Sequence, residues 1–182
     1  MNIQTKYIEK LKAEKIFSDI YTDRYDESIY GFIFDFNEEF LILEQFTDIG
    51  EADGIAVLKR ENISRIKWLG NSIKTAEIFA LKAITNENIG KIKIDNIQNI
   101  IKSIQNEFGY VTLYIQDVDS EMCIIGEIIE MDADTLIIKE YGTYASLDRK
   151  MLMLSIHEIT KVECDGQYER NLHELFNKNN WV

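Results

Sequence analysis

The stretch that decides the fold reads IYGFIFDFNEEFLIL over residues 29–43. Runs rich in isoleucine and aromatic residues flank Asn37 and Glu38, which is typical of two strands joined by a tight turn. Gly31 lies inside the first run, where a glycine usually marks a sharp bend of the strand. The stretch therefore predicts a strongly bent antiparallel hairpin.

The same pattern occurs a second time, as IIGEIIEMDADTLII over residues 124–138. Gly31 and Gly126 are 95 positions apart, and aliphatic residues of the flanking strands keep that spacing. Upstream, the spacing aligns Ile20 with Ile115, and downstream it becomes 96, which indicates one inserted residue in a loop. We therefore interpret the chain as two diverged copies of one unit.

Each copy shows the same order of predicted elements, a helix, five short strands and a closing helix. The Asn86–Gly90 stretch lies between the copies. The prediction is an α+β chain of two tandem small, bent antiparallel β-barrels, each with flanking helices, over residues 1–85 and 86–182. The predicted helices are residues 3–16 and 71–83 in the first copy and 95–107 and 167–178 in the second.

This order resembles that of Sm-like proteins, a family of small barrels of the SH3 type. The resemblance rests on a glycine, an aliphatic residue, a turn acid or amide and an aliphatic strand, from Gly31 to Leu43 and from Gly126 to Ile138. Sm-like proteins usually form rings that hold single-stranded RNA through turn residues and a basic second motif. The RNA-binding candidates that the resemblance implies are Asn37, Lys59, Arg60, Asp132 and His157.

The charge balance argues against that function. The chain has 20 basic and 32 acidic residues and a formal net charge of −12. Such a field repels phosphate backbones and anionic lipid headgroups and attracts basic proteins. Only the first copy keeps a basic pair, Lys59-Arg60. We therefore expect a protein partner, with a protein rich in lysine and arginine as the candidate that charge favours, and neither nucleic acid nor membrane binding.

Tyrosines supply the candidate contact residues for such a partner. Protein interfaces are enriched in tyrosine, although tyrosines on strands also pack in cores. The protein-binding candidates are Tyr21, Tyr25, Tyr30, Tyr141 and Tyr144.

Motifs of catalysis and metal binding are missing from the sequence. There is no nucleophile elbow, phosphate loop, dinucleotide fingerprint or zincin helix. His157 lacks a partner on its own strand face, and Cys164 and His173 stand alone where a zinc site would show paired ligands. The prediction is a protein that is not an enzyme and has no catalytic residue, cofactor or metal.

Two cysteines and a charged beginning of the chain predict a cytoplasmic protein with free thiols. The predicted assembly is a monomer with an internal pseudo-dimer or a small oligomer, and Trp181 is expected to dock on the barrel or on a partner. The predicted function is a non-catalytic intracellular protein-binding module, such as an inhibitor or immunity-type protein for a basic partner. The alternatives are an Sm-like single-stranded RNA-binding protein and an enzyme with an unrecognised site.

Overall fold

A computed structural model describes residues 2–82 and 86–179, and the chain divides into two compact units, Met1–Ile89 and Gly90–Val182. Trp181, which was expected to dock, lies outside the described residues. The described ranges contain four α-helices and ten β-strands, so the α+β class is confirmed. No helix in these ranges is long and apolar enough to cross a membrane.

Unit 1 consists of a five-stranded antiparallel sheet and two helices, with the strand order β5-β1-β2-β3-β4. A short 3-10 turn, Arg60–Asn62, connects the last two strands. The elements are α1 (Ile3–Ala13), β1 (Ser18–Thr22), β2 (Glu27–Phe36), β3 (Phe40–Phe46), β4 (Ala52–Lys59), β5 (Arg65–Trp68) and α2 (Asn71–Ala80).

Unit 2 repeats this plan, with the strand order β10-β6-β7-β8-β9 and a 3-10 turn at Ile156–Glu158. The elements are α3 (Ile97–Phe108), β6 (Val111–Tyr114), β7 (Cys123–Met131), β8 (Thr135–Tyr141), β9 (Arg149–Ser155), β10 (Lys161–Cys164) and α4 (Gln167–Asn179).

The sheet of unit 1 packs against a helix on each face. Ile8 and Leu11, one turn apart on α1, join a core cluster with Leu41 and Leu43 of β3. The α2 side chains, such as Ile73, join a second cluster that is rich in aromatic residues. The spacing of apolar residues along each helix therefore determines which side of the helix packs on the sheet.

Unit 2 places its helices in the same way. The α3 helix is capped by the Asn96 side chain, which accepts a hydrogen bond from the Asn99 amide at 2.8 Å, and it ends at Gly109 in a left-handed conformation. The α4 helix packs Leu172 and Phe176 into a cluster with strand residues of unit 2.

The strand registers show which residues of the two units are counterparts, meaning that they occupy the same place in the ladders. Ile20 pairs with Ile29 in unit 1, and Leu113 pairs with Ile124 in unit 2. The counterpart of Ile20 is therefore Leu113, and the alignment with Ile115 was wrong. Ten residues separate Leu113 from Ile124, whereas eight separate Ile20 from Ile29, so unit 2 has two more residues between these paired positions.

Downstream of the hairpin the registers agree with the expected spacing. Leu41 pairs with Leu58, and Leu136 pairs with Leu154, so the counterparts are 95 positions apart in β3 and β8 and 96 in β4 and β9. One residue is therefore inserted between these strands in unit 2.

The two glycines lie where neighbouring strands come closest. A Cβ on Gly31 would be 2.1 Å from the Glu44 carbonyl oxygen, and one on Gly126 would be 2.4 Å from the Lys139 carbonyl oxygen. The need for glycine therefore comes from this close approach of backbones.

Each sheet bends at a β-bulge, between Ile33 and Asp35 in β2 and between Ile128 and Glu130 in β7. Bulges increase the local twist of a strand. In the described residues, however, the ladders of each unit join its five strands in a row and do not pair β4 with β5 or β9 with β10. The sheets are open, and the expected barrels are not confirmed.

Candidate functional site

Two of the RNA-binding candidates meet in a cleft of unit 1 of about 820 Å³. Arg60 is 8% exposed there. Its Nη1 donates to the Asn37 carbonyl oxygen at 2.5 Å, and its Nη2 donates to Gln4 Oε1 and Thr5 Oγ1, each at 3.0 Å. The guanidinium also lies 5.5 Å from the centre of the Phe36 ring. Arg60 thus ties the β2–β3 turn to the first turn of α1.

The other groups of this cleft do not favour a phosphate. The Asn37 side chain accepts hydrogen bonds from the Glu39 and Phe40 amides at 2.8 and 2.7 Å, which stabilises the turn. Glu38 and Glu61 also line the cleft. Lys59 is half-buried at the end of β4 and is not among the lining residues. The arrangement supports a structural role for Asn37 and Arg60.

The corresponding region of unit 2 lacks the arginine. Ile156, the counterpart of Arg60, is buried. Asp132 accepts hydrogen bonds from the amides of Asp134 and Thr135 at 2.9 and 2.8 Å, and these bonds lower the pKa of Asp132. His157 is exposed, with Nε2 3.1 Å from Asp134 Oδ1. Asp132 and His157 therefore have different partners and present no cationic groove.

The three tyrosines of unit 1 have different surroundings. Tyr21 is half-buried on β1, with the Arg65 guanidinium 3.8 Å from its ring centre and Lys67 Nζ donating to its hydroxyl at 2.7 Å. Tyr25 is half-buried in the turn after β1. Tyr30 packs against the aromatic cluster that α2 covers, and burial raises its pKa. Tyr21 and Tyr25 therefore lie beside charged side chains near the surface, whereas Tyr30 belongs partly to the core.

Tyr141 is a core residue, with 3% of its surface exposed, and so it is unsuited to contact a partner. Its hydroxyl donates to Glu127 Oε1 at 2.6 Å and lies 2.7 Å from His173 Nδ1. Arg149 Nη2 is 3.2 Å from Glu127 Oε2, and its guanidinium lies 4.6 Å from the Tyr141 ring centre. Asn177 Nδ2 is 2.9 Å from His173 Nε2.

This partly buried polar network holds α4 against β7, β8 and β9. Burial raises the pKa of Tyr141, to which the hydrogen bond with Glu127 adds, and burial lowers the pKa of His173. Both groups are therefore stabilised in their neutral forms. The counterparts of Glu127 and Tyr141 are Phe32 and Phe46, two rings in edge contact 5.7 Å apart. The network thus distinguishes unit 2 from unit 1.

Tyr144 remains a surface residue, 44% exposed. Its hydroxyl donates to the Tyr168 carbonyl oxygen at 3.2 Å, and the two rings are 4.8 Å apart. Within the described part of the chain, no group of three His, Cys, Asp or Glu side chains could hold a metal ion.

The most unusual surface lies on β8 and β9 of unit 2. Met151 and Met153 are 60% and 70% exposed, on the same sheet face as their cross-strand neighbours Lys139 and Ile137. Their counterparts in β4, Ile55 and Val57, are 0% and 2% exposed. The same strand of the repeat therefore buries its apolar side chains in unit 1 and exposes them in unit 2.

Acidic side chains surround one end of this apolar surface. Glu130 is the cross-strand neighbour of Ile137, and further carboxylates follow in the β7–β8 turn and after β9. At the other end of β9, Arg149 pairs with Glu127, and Lys150 lies 3.8 Å from Asp148. We call the whole the β9 surface, consisting of the apolar Ile137, Met151 and Met153, the half-buried Lys139 beside Met151, and an acidic rim of the exposed Glu130, Asp132, Asp134 and Glu158.

Comparisons with known proteins do not assign the β9 surface. No protein-family model, curated protein or solved structure matches the chain. The sequence signal for this surface is the run Met151-Leu152-Met153-Leu154, in which apolar residues occupy both faces of a strand. That pattern predicts a strand that is covered on both faces, and only the structure shows that one face of β9 is open.

Proposed function

We propose that this protein is a non-catalytic intracellular protein-binding module and that its β9 surface binds a basic segment of another protein. The observation that carries the proposal is the exposure of Met151 and Met153, whose counterparts in unit 1 are buried. Contiguous apolar surface rimmed by polar groups is typical of interaction sites, and methionine is enriched in interfaces. Its flexible, polarizable side chain also adapts to different partners.

The acidic rim favours a basic partner. Glu130, Asp134 and Glu158 are exposed beside the apolar surface, and the chain carries a net charge of −12. Complementary charge accelerates the encounter and sets the orientation of a complex. An inhibitor or immunity-type protein that covers a basic protein has these properties. The unpaired thiols Cys123 and Cys164 agree with a reducing, cytoplasmic environment.

A photo-crosslinking amino acid at position 153 tests this proposal. The matched control places it at Ile78, which is 58% exposed on α2 of unit 1. In an extract of the native cells, we expect a crosslinked protein at position 153 and none at position 78. The crosslinked segment should contain lysine or arginine next to apolar residues, and raised salt should reduce its yield.

The substitution Met153→Asp provides the second arm of this experiment, with Ile78→Asp as its control. Since both side chains are largely exposed, neither change should affect folding. We expect Met153→Asp to lose the crosslinked complex from a probe at position 151 and Ile78→Asp to keep it. Equal crosslinking at positions 153 and 78, or a partner segment that is acidic, would refute the proposal.

The alternative function, Sm-like binding of single-stranded RNA, is supported by the meeting of Asn37 and Arg60 in one cleft. Against it, Arg60 is bound to protein oxygens and Glu38 and Glu61 share the cleft. We therefore expect no binding of U-rich or A-rich oligonucleotides in fluorescence anisotropy at physiological salt. Submicromolar binding that weakens as salt rises, and that Arg60→Met abolishes, would favour the alternative.

We further propose that each unit is an Sm-like small barrel, so that the chain is a tandem of two. Support comes from a helix followed by five antiparallel strands in each unit, in the same order and with a bulge in the same strand. Since β4 does not pair with β5, nor β9 with β10, a barrel would have to close through side-chain packing of these strands around one core. An experimental structure in which the first and last strands of either unit do not share one core would contradict the proposal.

A further inference from the structure

We infer that the partner segment binds to the β9 surface as an added β-strand, through the backbone edge of β9. This inference rests on the proposed function, because it specifies how the same surface holds its partner. It also predicts the sequence class of the partner, an extended segment in which apolar residues alternate with polar ones and basic residues lie at one end.

The position of β9 in the sheet leaves one backbone edge available. All seven residues of β9 pair with β8, from Arg149 opposite Tyr141 to Ser155 opposite Thr135. A strand presents alternate backbone groups to its two sides, so these pairs use one edge. Because β9 is the last strand of the order β10-β6-β7-β8-β9, no strand in the described residues pairs with its other edge.

This edge lacks the protection that such strands normally have. Proteins prevent unwanted strand pairing by keeping edge strands short or by placing charged residues and prolines on them. The middle of β9 is the uncharged run Met151–Leu154, and the chain contains no proline. By contrast β5, at one end of the order in unit 1, has four residues and exposes Arg65 and Lys67. β9 is therefore the strand suited to accept another.

The side chains of the β9 surface determine what the added strand contains. Alternate side chains of a strand beside β9 project over Met151 and Met153, where apolar side chains would bury the two thioethers. At the Ser155 end, Asp134 lies on the β8 side of β9, where its carbonyl accepts the Ile156 amide, and Glu158 follows β9 in the chain. The exposed carboxylates at this end favour lysine or arginine, whose long side chains reach across β9 from the added strand. The expected segment has apolar residues at alternate positions and its basic residues at the end that lies near Ser155.

Charge favours a different protein over a second copy of this chain as the occupant. If two β9 strands paired with each other, each would bring its exposed Lys150 to the acidic rim of the other. Arg149 would add little, because it is already bound to Glu127. The rim carries four carboxylates, and each copy has a net charge of −12, so two copies repel each other.

The test uses fluorescein-labelled peptides of the length of β9 that alternate valine with lysine. Their binding to the full chain is measured by fluorescence anisotropy. A peptide that alternates valine with glutamate is the charge control. Two further valine–lysine peptides carry N-methyl groups on alternate residues. In one peptide the methyl groups lie along one backbone edge of the strand, and in the other they lie along the opposite edge, so each peptide has the hydrogen bonds of a single edge blocked.

We expect the valine–lysine peptide to bind and the valine–glutamate peptide not to bind. One methylated peptide should bind as well as the parent, and the other should bind about tenfold more weakly or worse, because it loses the bonds to β9. Met153→Asp should abolish binding, and Ile78→Asp should leave it unchanged.

Other outcomes separate this inference from the proposed function. If both methylated peptides behave alike while Met153→Asp still abolishes binding, the surface binds a partner but not as a strand, and only the inference is overturned. Failure of every peptide would also overturn it, while the crosslinking at position 153 decides the proposed function independently. Sedimentation measures whether the chain associates with itself. If it does, and if Met153→Asp removes the association while Ile78→Asp preserves it, the edge of β9 binds a second copy and the choice of partner is overturned.

Discussion

The substitution Gly126→Ala tests why the hairpin of unit 2 needs a glycine. The added Cβ would lie 2.4 Å from the Lys139 carbonyl oxygen and 2.9 Å from Glu140 Cα. Both atoms belong to the backbone of β8, so they cannot rotate away. An ordinary contact begins at 3.4 Å, and β7 and β8 must therefore separate locally by roughly 1 Å. Overpacking of this kind, with weakened ladder hydrogen bonds, costs roughly 2–4 kcal/mol of unfolding free energy.

Thermal and urea melts followed by circular dichroism measure this loss. For a unit of this size, the melting temperature should fall by roughly 10–20 °C. The matched control is Gly70→Ala, whose Cβ would have its nearest contact at 3.8 Å. Because Gly70 is the N-cap of α2, where glycine is preferred to alanine, this change should cost about 0.5–1 kcal/mol, clearly less than Gly126→Ala. If Gly126→Ala melts like the wild type and like the control, the close approach of the two strands does not exist.

Three further changes probe the polar contacts. Burial lowers the pKa of His173, so unfolding takes up a proton as the pH falls below about 6.5, and the urea midpoint should decrease over that range. His173→Gln should remove this dependence of the midpoint on pH, whereas substitution of the exposed His157 by glutamine should leave the dependence in place. Tyr141→Phe leaves Glu127 Oε1 without its donor and should cost about 1–2 kcal/mol in urea melts, whereas Tyr144→Phe should cost almost nothing. Arg60→Met removes three hydrogen bonds between α1 and the β2–β3 turn and should cost about 1–3 kcal/mol, and an unchanged urea midpoint would contradict the role of Arg60.

The sequence predicted the elements that depend on local pattern. The turn at Asn37 and the turn at Asp132 both follow from side chains that cap their own backbone, a property of two or three adjacent residues. The alignment of Ile20 with Ile115 failed because any aliphatic residue matches another at a strand position. The two extra residues between Leu113 and Ile124 leave no mark on that pattern, and only the pairing of these two strand positions shows them.

The sites depended on contacts between distant residues and were harder to predict. Tyr141 is interior because Glu127, Arg149 and His173 come from three other elements to meet its hydroxyl and ring. No spacing along the chain indicates such a meeting. Likewise, the run that contains Met153 shows that β9 is apolar, but whether a strand is covered depends on its neighbours in space.

The difference in burial between Met153 and its counterpart Val57 sets the valency that the proposed binding function would have. Two copies of a fold in tandem would ordinarily offer two equivalent sites, and a divalent partner could then bind with avidity. Here Val57 is 2% exposed and Met153 is 70% exposed, so only the second copy presents the β9 surface. Each chain is therefore expected to bind a single partner segment, with a stoichiometry of one to one and no cross-linking of partners into larger complexes.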